Sequence, residues 1–578
     1  MDGSSRRNQR SPEATEAWVL GSGTASLASA VYLITHAKLR PSAVHILDEH
    51  LSLQETIHRQ GSAHAGYDQF AACLPVPIGS ELKEFLDAIP SAVAEGQSFL
   101  DDIQQEEKRL AIDRTGRTCF IAQKDGRFKH LPTDSLNLSW NHRINLVRLL
   151  MKREKTLQGV AIRDLFRRSF FESTFWTIWS IQFGFQPWHS AAEFRRAIRQ
   201  YLSGFRSLSI SSCLDITGHY QYESLHLPIY FFLQSQGVDF QFGTKIRNIE
   251  TTLNQNQYAI TQLSLSRHGL DFQKKLGPSD LVLATLGSTV SGCAIGTNDH
   301  PPPWHSIEAS DHLDANWSLW LEVGNKYQGI GNPYTFCTRK SESILESFTV
   351  TTEDMEFFDR LESLSQCPCQ AGAMIIMKDS SWGLSICLPV QPVFPQQPQD
   401  VRVLWGFALL PEIEGDHVKK TMLSCSGAEV MSEILYHLDL PGDMAMEALQ
   451  RSIVIPRAMP RMSSTLLTRS LEDRACITPK SISNVGLVGS FVETPGRSCV
   501  DVSYAVHAAR IAVSHLMGLE PWAEESPSPS ISRLLITLLW VGPLRLKSGT
   551  LMGDYFNDTY KRPVRQYAQY RKDAYIIK

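Results

Sequence analysis

A short loop near the amino terminus carries the residue types that bind phosphate groups through the backbone. It reads Gly21-Ser22-Gly23-Thr24-Ala25-Ser26. Gly21 permits a tight turn, and Gly23 lets the chain approach a pyrophosphate that rests on the amino terminus of the following helix. Ser26 replaces the third glycine of the usual pattern and is still small enough for close packing of helix against strand. The loop predicts a dinucleotide site whose contacts include Gly21, Gly23, Thr24, Ala25 and Ser26.

Two carboxylates, Asp48 and Glu49, follow the next apolar run of the chain. At the end of a second strand, such carboxylates can accept hydrogen bonds from a ribose hydroxyl of the dinucleotide. The elements that must position them are a strand over 16–22, a helix over 24–38 and a strand over 43–47. Together these segments predict one β-α-β unit with the glycine loop at its first turn.

Two later apolar segments favour FAD over NAD as the dinucleotide. LVLATLGS (281–288) and VGLVGSF (485–491) each run into a glycine, as strands do where the backbone closes over the far end of a flavin. The helix predicted over 501–518 could direct its positive end at the flavin. The cofactor contacts predicted here are Gly287, Ser288, Gly489, Ser490, Phe491, Ser503 and Tyr504.

The order of the predicted elements indicates an α/β fold with an FAD-binding Rossmann-type lobe, a mixed α+β substrate lobe and a helical C-terminal lobe. Strands are predicted near 350 (VTTEDMEFF), within 373–388 and at 401–410, and helices over 426–450. The predicted divisions are a disordered tail (1–15), the FAD lobe in three parts (16–110, 237–300, 481–520), a mostly helical substrate segment (111–236), a mixed substrate segment (301–480) and a C-terminal helical segment with a basic tail (521–578).

Composition excludes several classes of protein. The 578 residues are 43% hydrophobic and carry a formal net charge of -4, so the chain can bury a large core and is not expected to bind nucleic acid. No apolar run has the length of a membrane span, and the first residues lack the apolar core of a secretory signal. Eleven cysteines show no paired spacing beyond Cys367 and Cys369, so we expect no metal site. A cytoplasmic protein with reduced thiols is predicted.

The carboxyl-terminal region allows two interpretations. Residues 531–547 are apolar with cationic edges, and residues 561–572 mix basic residues with tyrosine. This segment could make peripheral contact with an anionic membrane. Alternatively, its helix packs on the body of the protein and the tail is solvated, which is the interpretation we favour.

Several stretches, in matching order and spacing, resemble the oleate hydratases, also called myosin-cross-reactive antigens. They include GSGTASLASAVYLI (21–34), FQPWHSAAEFRR (185–196), QYESLHLP (221–228), KDSSWGLS (378–385) and GSFVETP (489–495). The resemblance extends from about residue 17 to about residue 540. It implies bound FAD, homodimers and addition of water to the double bond of a long-chain fatty acid, with Gln221 along the substrate channel. Because hydration is redox-neutral, the resemblance implies a structural or electrostatic role for FAD.

The chain departs from the family at the positions that carry the chemistry. The family's P-G-G-S loop is here Leu53-Gln54-Glu55-Thr56, which lacks the flexible glycines. Leu74 stands where the family has the glutamate thought to activate water, and Ala197 stands where it has the tyrosine thought to protonate the double bond. Neither side chain can move a proton. We therefore leave the catalytic residues unassigned and expect little hydration of oleate.

Four other polar residues are candidates for the missing roles. Asp68 precedes Leu74 and could line the same cavity, but we expect a solvated loop aspartate. Tyr201 lies one helical turn beyond Ala197 and could deliver a phenol, but a packing aromatic is the favoured interpretation. Arg457 and Arg461 could hold a carboxylate or phosphate, although we expect them on a solvated face.

His189, Glu193 and Glu223 are interpreted as hydrogen-bonded core residues, with Glu193 a buried partner for arginine. Three functional hypotheses remain open. The chain is a hydratase-like flavoenzyme with altered acid-base residues that hydrates, dehydrates or isomerises a lipid-like alkene. Alternatively, it is an FAD-dependent oxidoreductase whose flavin performs hydride chemistry, or a binding protein that kept the fold and lost catalysis.

Overall fold

The computed structural model describes residues 10–53, 60–68, 80–91, 94–109, 119–124, 127–131, 137–201, 226–254, 256–304, 313–324, 326–365, 373–389, 391–394, 396–500 and 502–520. Its strands in chain order are β1 (Ala17–Leu20), β2 (Val44–Leu47), β3 (Gln60–Ser62), β4 (Gly66–Asp68), β5 (Cys119–Lys124), β6 (Arg127–Leu131), β7 (Asp239–Gln241), β8 (Thr244–Asn254), β9 (Gln257–Arg267), β10 (Leu270–Lys275), β11 (Leu281–Thr285), β12 (Ala294–Ile295), β13 (Leu345–Thr352), β14 (Ala373–Met377), β15 (Leu384–Leu388), β16 (Arg402–Ala408), β17 (Ser452–Met459), β18 (Ala475–Cys476), β19 (Val485–Val488) and β20 (Val492–Glu493).

The α-helices in chain order are α1 (Thr24–Thr35), α2 (Ser80–Asp87), α3 (Phe99–Arg109), α4 (Trp140–Met151), α5 (Arg168–Phe171), α6 (Thr174–Phe183), α7 (Ala191–Tyr201), α8 (Leu227–Gln236), α9 (Ala315–Gly324), α10 (Tyr334–Cys337), α11 (Lys340–Ser343), α12 (Met355–Ser365), α13 (Gly427–Leu438), α14 (Gly442–Gln450) and α15 (Val502–Met517). Among the described residues, no helix combines the length and apolar composition needed to cross a bilayer.

A parallel sheet positions the glycine loop. Within the described residues it has five strands in the order β19-β11-β1-β2-β7. In the central pairings, Ala17 of β1 lies opposite Leu281 of β11 and Val44 of β2. β1 is buried along its whole length, and α1 and α15 pack against each other as well as against this sheet. Short, wholly apolar strands are expected where helices cover a parallel sheet.

A larger mixed sheet forms the second layer. Within the described residues its eight strands follow the order β12-β17-β13-β16-β15-β14-β5-β6, and β14 pairs parallel with β5. β13 is buried on both faces because its side chains alternate between two cores. Leu345 belongs to the core shared with the parallel sheet, whereas Phe348 and Val350 belong to the core formed with α12 and α13. One face of the mixed sheet is therefore turned toward the parallel sheet.

The α/β class and the first β-α-β unit agree with the sequence prediction, but one local prediction is wrong. The stretch after Thr352 is not a strand: α12 begins at Met355, with Asp354 accepting a hydrogen bond from Phe357 N at 3.1 Å. Its buried Phe357, Phe358 and Leu361 follow helical spacing, and the helix buries them on one face.

The segment 111–236, predicted to be mostly helical, contains strands β5 and β6 beside its helices. Phe120 and Ile121 face opposite cores, so β5 is covered on both sides and its sequence lacks the alternation of a half-exposed strand. The predicted C-terminal helical segment and basic tail, 521–578, lie outside the described residues.

Candidate functional site

A cleft of about 510 Å³ opens at the carboxyl ends of the parallel strands. This is the edge of a parallel α/β sheet at which ligands bind. Most of the predicted cofactor contacts line it, namely Gly21, Gly23, Thr24, Ala25, Asp48, Glu49, Gly287, Ser288, Gly489, Ser490 and Phe491. The structure therefore brings together residues from three separate parts of the sequence.

The glycine loop has the geometry that a pyrophosphate needs. Gly21 has a φ of 101°, which disfavours any side chain, and its N–H donates to Leu47 O at 2.7 Å. Gly23 precedes α1 as its N-cap and contributes no side-chain cap. A Cβ added at Gly23 would meet no atom within 4 Å, because the backbone there borders open space of the cleft. The amino terminus of α1 can therefore approach an anionic group closely.

Three predicted contacts lie behind the cleft wall. Ser26 is buried, and its Oγ lies 2.9 Å from Thr285 Oγ1, which ties α1 to β11. Tyr504 donates its hydroxyl to Val492 O at 2.5 Å and accepts a hydrogen bond from Arg474 Nη1 at 2.9 Å. Ser503 is also buried in the helix, and the residues on either side of this pair, Val502 and Ala505, line the cleft instead.

The two carboxylates after β2 have different roles. Asp48 accepts hydrogen bonds from Ser22 N at 2.7 Å, His50 N at 2.9 Å and His50 Nδ1 at 2.7 Å. Burial opposes ionisation, but these hydrogen bonds outweigh it and hold the pKa of Asp48 below its ordinary value. The carboxylate of Asp48 is therefore already hydrogen-bonded to Ser22 of the glycine loop and to His50. Glu49 accepts from Ala315 N at 2.8 Å and lies 3.3 Å from Lys245 Nζ, and it also lines the cleft.

His226 is a cleft residue that the sequence analysis did not assign, although it lies within the matched stretch QYESLHLP. It precedes α8, and its Nε2 lies 2.6 Å from Thr24 Oγ1. Burial lowers the pKa of His226 to about 4, so the imidazole is neutral at pH 7. A neutral histidine therefore adjoins the first residue of α1.

Asp314 is another unassigned cleft residue, immediately before α9. Its Oδ1 accepts from Trp317 N at 3.0 Å, as an N-cap does. Burial, reinforced by the carboxylate of Glu49, raises the pKa of Asp314 to about 6. Its position directly before an apolar helix is the signal from which the cap could have been predicted.

Part of the cleft lining is apolar. The apolar residues include Phe183, Leu345, Met462, Leu466 and Val500. The cleft thus combines glycine-rich turns suited to phosphate with hydrophobic side chains suited to a ring system or an alkyl chain.

Two expectations about buried charges are wrong. Asp68 is in strand β4 and only 4% exposed, and it forms an ion pair with Arg457, which is 1% exposed. Arg461 is likewise 1% exposed and donates to Cys337 O at 3.1 Å and Ser291 O at 3.3 Å. These residues do not form a solvated loop or face. The mixed sheet covers them, and pairing compensates the charge of Asp68 and Arg457.

The interpretation of Glu193 as a buried partner for arginine is confirmed. Its Oε1 lies 2.6 Å from Arg469 Nη2, 3.4 Å from Arg196 Nη1 and 3.5 Å from Arg474 Nη2. Burial would raise the pKa of Glu193, but the three guanidinium groups outweigh it and lower that pKa to about 2. This network joins α7 to the chain segment between β17 and β18.

The remaining candidates on α7 and its neighbours are also core residues. Ala197 is fully buried in the core, so the position of the family's tyrosine offers no proton donor. Tyr201 stacks on Phe183 with ring centroids 5.1 Å apart, one layer behind the cleft. His189 accepts from Gln186 N at 3.0 Å, which agrees with its interpretation as a hydrogen-bonded core residue. Leu74, Gln221, Glu223 and residues 54–59 lie outside the described residues.

Away from the cleft, Asp416, Glu433 and His437 bring three ligand-type atoms within 4.8 Å of one another. Glu433 accepts hydrogen bonds from the backbone N–H groups of Asp416, His417 and Val418 at 2.6–2.9 Å. By accepting these three hydrogen bonds, the Glu433 carboxylate holds the loop over residues 416–418 in place, and this structural role explains its position. The expectation that the chain holds no metal stays a prediction.

Comparison with known proteins relates this geometry to a family. A model of the MCRA family matches residues 14–514. An oleate hydratase from Streptococcus pyogenes serotype M49 (strain NZ131) is 27% identical over 524 residues, which are 87% of this chain and 86% of that protein. A linoleate hydratase from Lactiplantibacillus plantarum is 27% identical over 465 residues, covering 76% and 80%.

Among solved structures, cyclohexylamine oxidase from Brevibacterium oxydans IH-35A aligns with a TM-score of 0.50 at 9% sequence identity, over 87% of this chain and 98% of that chain. At this identity the likeness shows the fold alone.

Proposed function

The chain belongs to the MCRA family, and from this premise we propose that it is an FAD-binding enzyme acting on a carbon–carbon double bond of a fatty acid or similar lipid. The reaction would be hydration, dehydration or isomerisation. The observation that carries the proposal is the cleft itself. Its glycine loop borders open space at Gly23, and apolar side chains contribute to the same lining.

The described residues fit the cofactor. The backbone of Gly23 and the amino terminus of α1 would hold the pyrophosphate, and Glu49 would accept a hydrogen bond from the ribose. The glycine junctions at Gly287 and Gly489, with φ of 67° and 103°, would let the backbone approach the rest of the cofactor. When bound, FAD would supply an electron-poor ring beside the substrate. Phe183, Leu345 and Met462 would exclude water from the apolar part of the lining.

The family's proton-transfer residues do not support ordinary oleate hydration here. Ala197 is buried and cannot protonate a double bond, and Leu74 is apolar. Positioned proton transfer contributes roughly 10²–10⁴-fold to rate. We therefore propose a substrate other than oleate, or a reaction whose proton transfers use other groups.

The proposal is tested with the purified chain and a panel of unsaturated lipids under anaerobic conditions. A product heavier by one water, lighter by one water or of unchanged mass, with the flavin oxidised throughout, would support a hydratase, a dehydratase or an isomerase. Bleaching of the flavin on addition of substrate would instead establish the oxidoreductase alternative. A protein that binds neither FAD nor lipid would refute the proposal.

We also propose that the protein is cytoplasmic, because its cysteines show no paired spacing, and that it is a homodimer, as the resemblance to the family implies. A contact of the 521–578 segment with an anionic membrane surface remains the alternative to packing of its helix on the body of the protein. Light scattering of the full chain tests the dimer. Sedimentation with anionic vesicles, against the chain ending at Glu520, tests the membrane contact.

A further inference from the structure

Helix α4 carries a row of apolar side chains on its solvent-facing side. Trp140 and Met151, at its two ends, are 59% and 61% exposed. They lie about three full helical turns apart, so they point in the same direction. Ile144 and Val147, on the same side of the helix, are half-buried. A single exposed apolar residue is ordinary, but a row of them along one helix face indicates a contact surface.

The row is not the face by which α4 packs on the protein. The buried residues of the helix lie on its opposite side and are His142, Leu146, Leu149 and Leu150. His142 Nε2 also lies 3.0 Å from Ser169 Oγ, which joins α4 to α5. The core therefore fixes the position of α4, and the helix presents Trp140 and Met151 outward.

Positive charge accompanies the row. Residues 140–155 include five arginine and lysine residues and one acidic residue, in a chain whose net charge is -4. The acidic residue, Glu154, is engaged elsewhere, because its Oε2 lies 2.8 Å from Arg196 Nη2 on α7. Four exposed cations of this segment form no ion pair with the described residues, namely Arg148, Lys152, Arg153 and Lys155.

This combination of groups distinguishes between possible occupants. Nucleic acid would engage the cations but would leave the apolar row exposed. A second copy of the chain, in a two-fold contact through this face, would bring the same cations of both copies together. An anionic bilayer accommodates both groups, because tryptophan enters the headgroup region and arginine and lysine contact the lipid phosphates.

We propose that this face of α4 docks the protein on a membrane that contains anionic phospholipid. The α4 surface consists of Trp140, Arg148, Met151, Lys152, Arg153 and Lys155. The helix would lie parallel to the bilayer plane, because the exposed apolar residues are at both of its ends. The α4 surface is separate from the 521–578 segment, and its role does not depend on FAD.

The test is sedimentation of the full chain with vesicles of phosphatidylcholine and phosphatidylglycerol in a three-to-one ratio, and with vesicles of phosphatidylcholine alone. We expect binding to the mixed vesicles that weakens at high salt, and at least about tenfold weaker binding to the neutral vesicles. Met151→Ala and Lys152→Gln should each weaken binding to the mixed vesicles by about fivefold, through lost apolar burial and a lost phosphate contact.

Met446 supplies a matched control for Met151. It is 63% exposed on α14, a helix whose charged residues are Asp443 and Glu447. Met446→Ala should leave vesicle binding unchanged. Lys275→Gln, at an exposed position of β10, is the control for Lys152→Gln and should change vesicle binding by less than about twofold. Equal unfolding temperatures of the variants would show that each is folded.

A second readout locates the contact. Phospholipids brominated on their acyl chains quench the fluorescence of tryptophan residues that enter the bilayer. Trp140→Phe should retain most of the vesicle affinity but lose the quenching, because its indole is the exposed one on the α4 surface. Trp522 and Trp540 belong to the 521–578 segment, so quenching that is unchanged in Trp140→Phe would assign the contact to that segment and overturn the proposal.

Three further outcomes would overturn it. Absence of vesicle binding by the wild type would exclude membrane docking and leave an acidic protein as the occupant. Equal binding to neutral and mixed vesicles would exclude recognition of anionic lipid. Equal binding by the wild type, Met151→Ala and Lys152→Gln would place the contact outside α4. FAD binding is measured separately, so none of these outcomes bears on the proposed function.

Discussion

The carboxylate of Asp48 accepts a hydrogen bond from the backbone N–H of Ser22 at 2.7 Å, which ties the end of the second strand to the middle of the glycine loop. The sequence position of Asp48 predicts a contact with a ribose. In the structure its carboxylate instead holds the backbone of the glycine loop. Its neighbour Glu49 lines the cleft and is the carboxylate proposed to bind the ribose.

This relationship predicts that Asp48→Asn destabilises the protein. The amide retains one acceptor but loses the charge that binds Ser22 N and His50, so we expect the free energy of unfolding to fall by about 1–3 kcal/mol. Chemical denaturation measures it. Asp271→Asn, on an exposed strand position, serves as control and should change the free energy by less than about 0.5 kcal/mol. Equal effects of the two substitutions would contradict this role for Asp48.

The two loop glycines should respond differently to alanine. Gly21 has a φ of 101°, so Gly21→Ala should destabilise the protein without cofactor by about 1–3 kcal/mol. Gly23 has a φ of -70° and open space around it, so Gly23→Ala should alter stability by less than about 1 kcal/mol. It should nevertheless weaken FAD binding by at least about tenfold, because the methyl group occupies cofactor space. Unchanged FAD affinity of Gly23→Ala would place the phosphate elsewhere.

The buried Glu193 network predicts a dependence of stability on pH. The pKa of Glu193 is lowered from 4.5 to about 2 in the folded protein. The ionised group therefore contributes stability above pH 4.5, on the order of 3 kcal/mol, which is lost as pH falls through about 2. Glu193→Gln should remove this contribution at neutral pH and flatten the acid limb of the stability profile. Glu447→Gln, which removes an exposed pair with Arg451, should cost under about 1 kcal/mol and leave that limb unchanged.

The Asp68–Arg457 pair predicts a double-mutant cycle with strong coupling. Removing either partner leaves the other charge buried, so Asp68→Asn or Arg457→Met should each cost about 3–5 kcal/mol. The double variant should be more stable than the sum of the single effects implies, since no buried charge remains. Additive losses, measured by denaturant unfolding, would show that the two groups do not depend on each other.

Restoring the family's tyrosine should not restore activity. Ala197 is fully buried in the core, and a phenol there overpacks it, so Ala197→Tyr should lower the free energy of unfolding by about 1–3 kcal/mol. Hydroxylated product from oleate should stay near background in wild type and variant, as measured by mass spectrometry. Robust turnover of oleate by the wild type would mean that other residues supply both proton transfers.

Local sequence patterns were sufficient for the parallel sheet and the glycine loop, because each strand and turn is specified by neighbouring residues. Gly21, Gly23 and the junctions at Gly287 and Gly489 could be placed from the apolar runs that precede them. The helix that begins at Met355 was not predicted because only Glu353 and Asp354 separate it from the buried strand β13.

Side-chain partnerships could not be predicted in this way. Asp68 and Arg457 are 389 residues apart in the sequence, and nothing local distinguishes either from a solvated charge. The same holds for His226 and Thr24, which are 202 residues apart. The position of Tyr504 at the start of α15 predicted a contact with the cofactor. A helix turns successive side chains in different directions, however, and Ala505 lines the cleft instead.

The most direct measurement is a titration of cofactor-free full-length protein with FAD, followed by calorimetry and flavin absorbance, for wild type and Gly23→Ala in parallel. The account predicts saturable binding of one FAD per chain by the wild type and at least about tenfold weaker binding by the variant. Absence of FAD binding by a folded wild-type protein would contradict the assignment of the cleft.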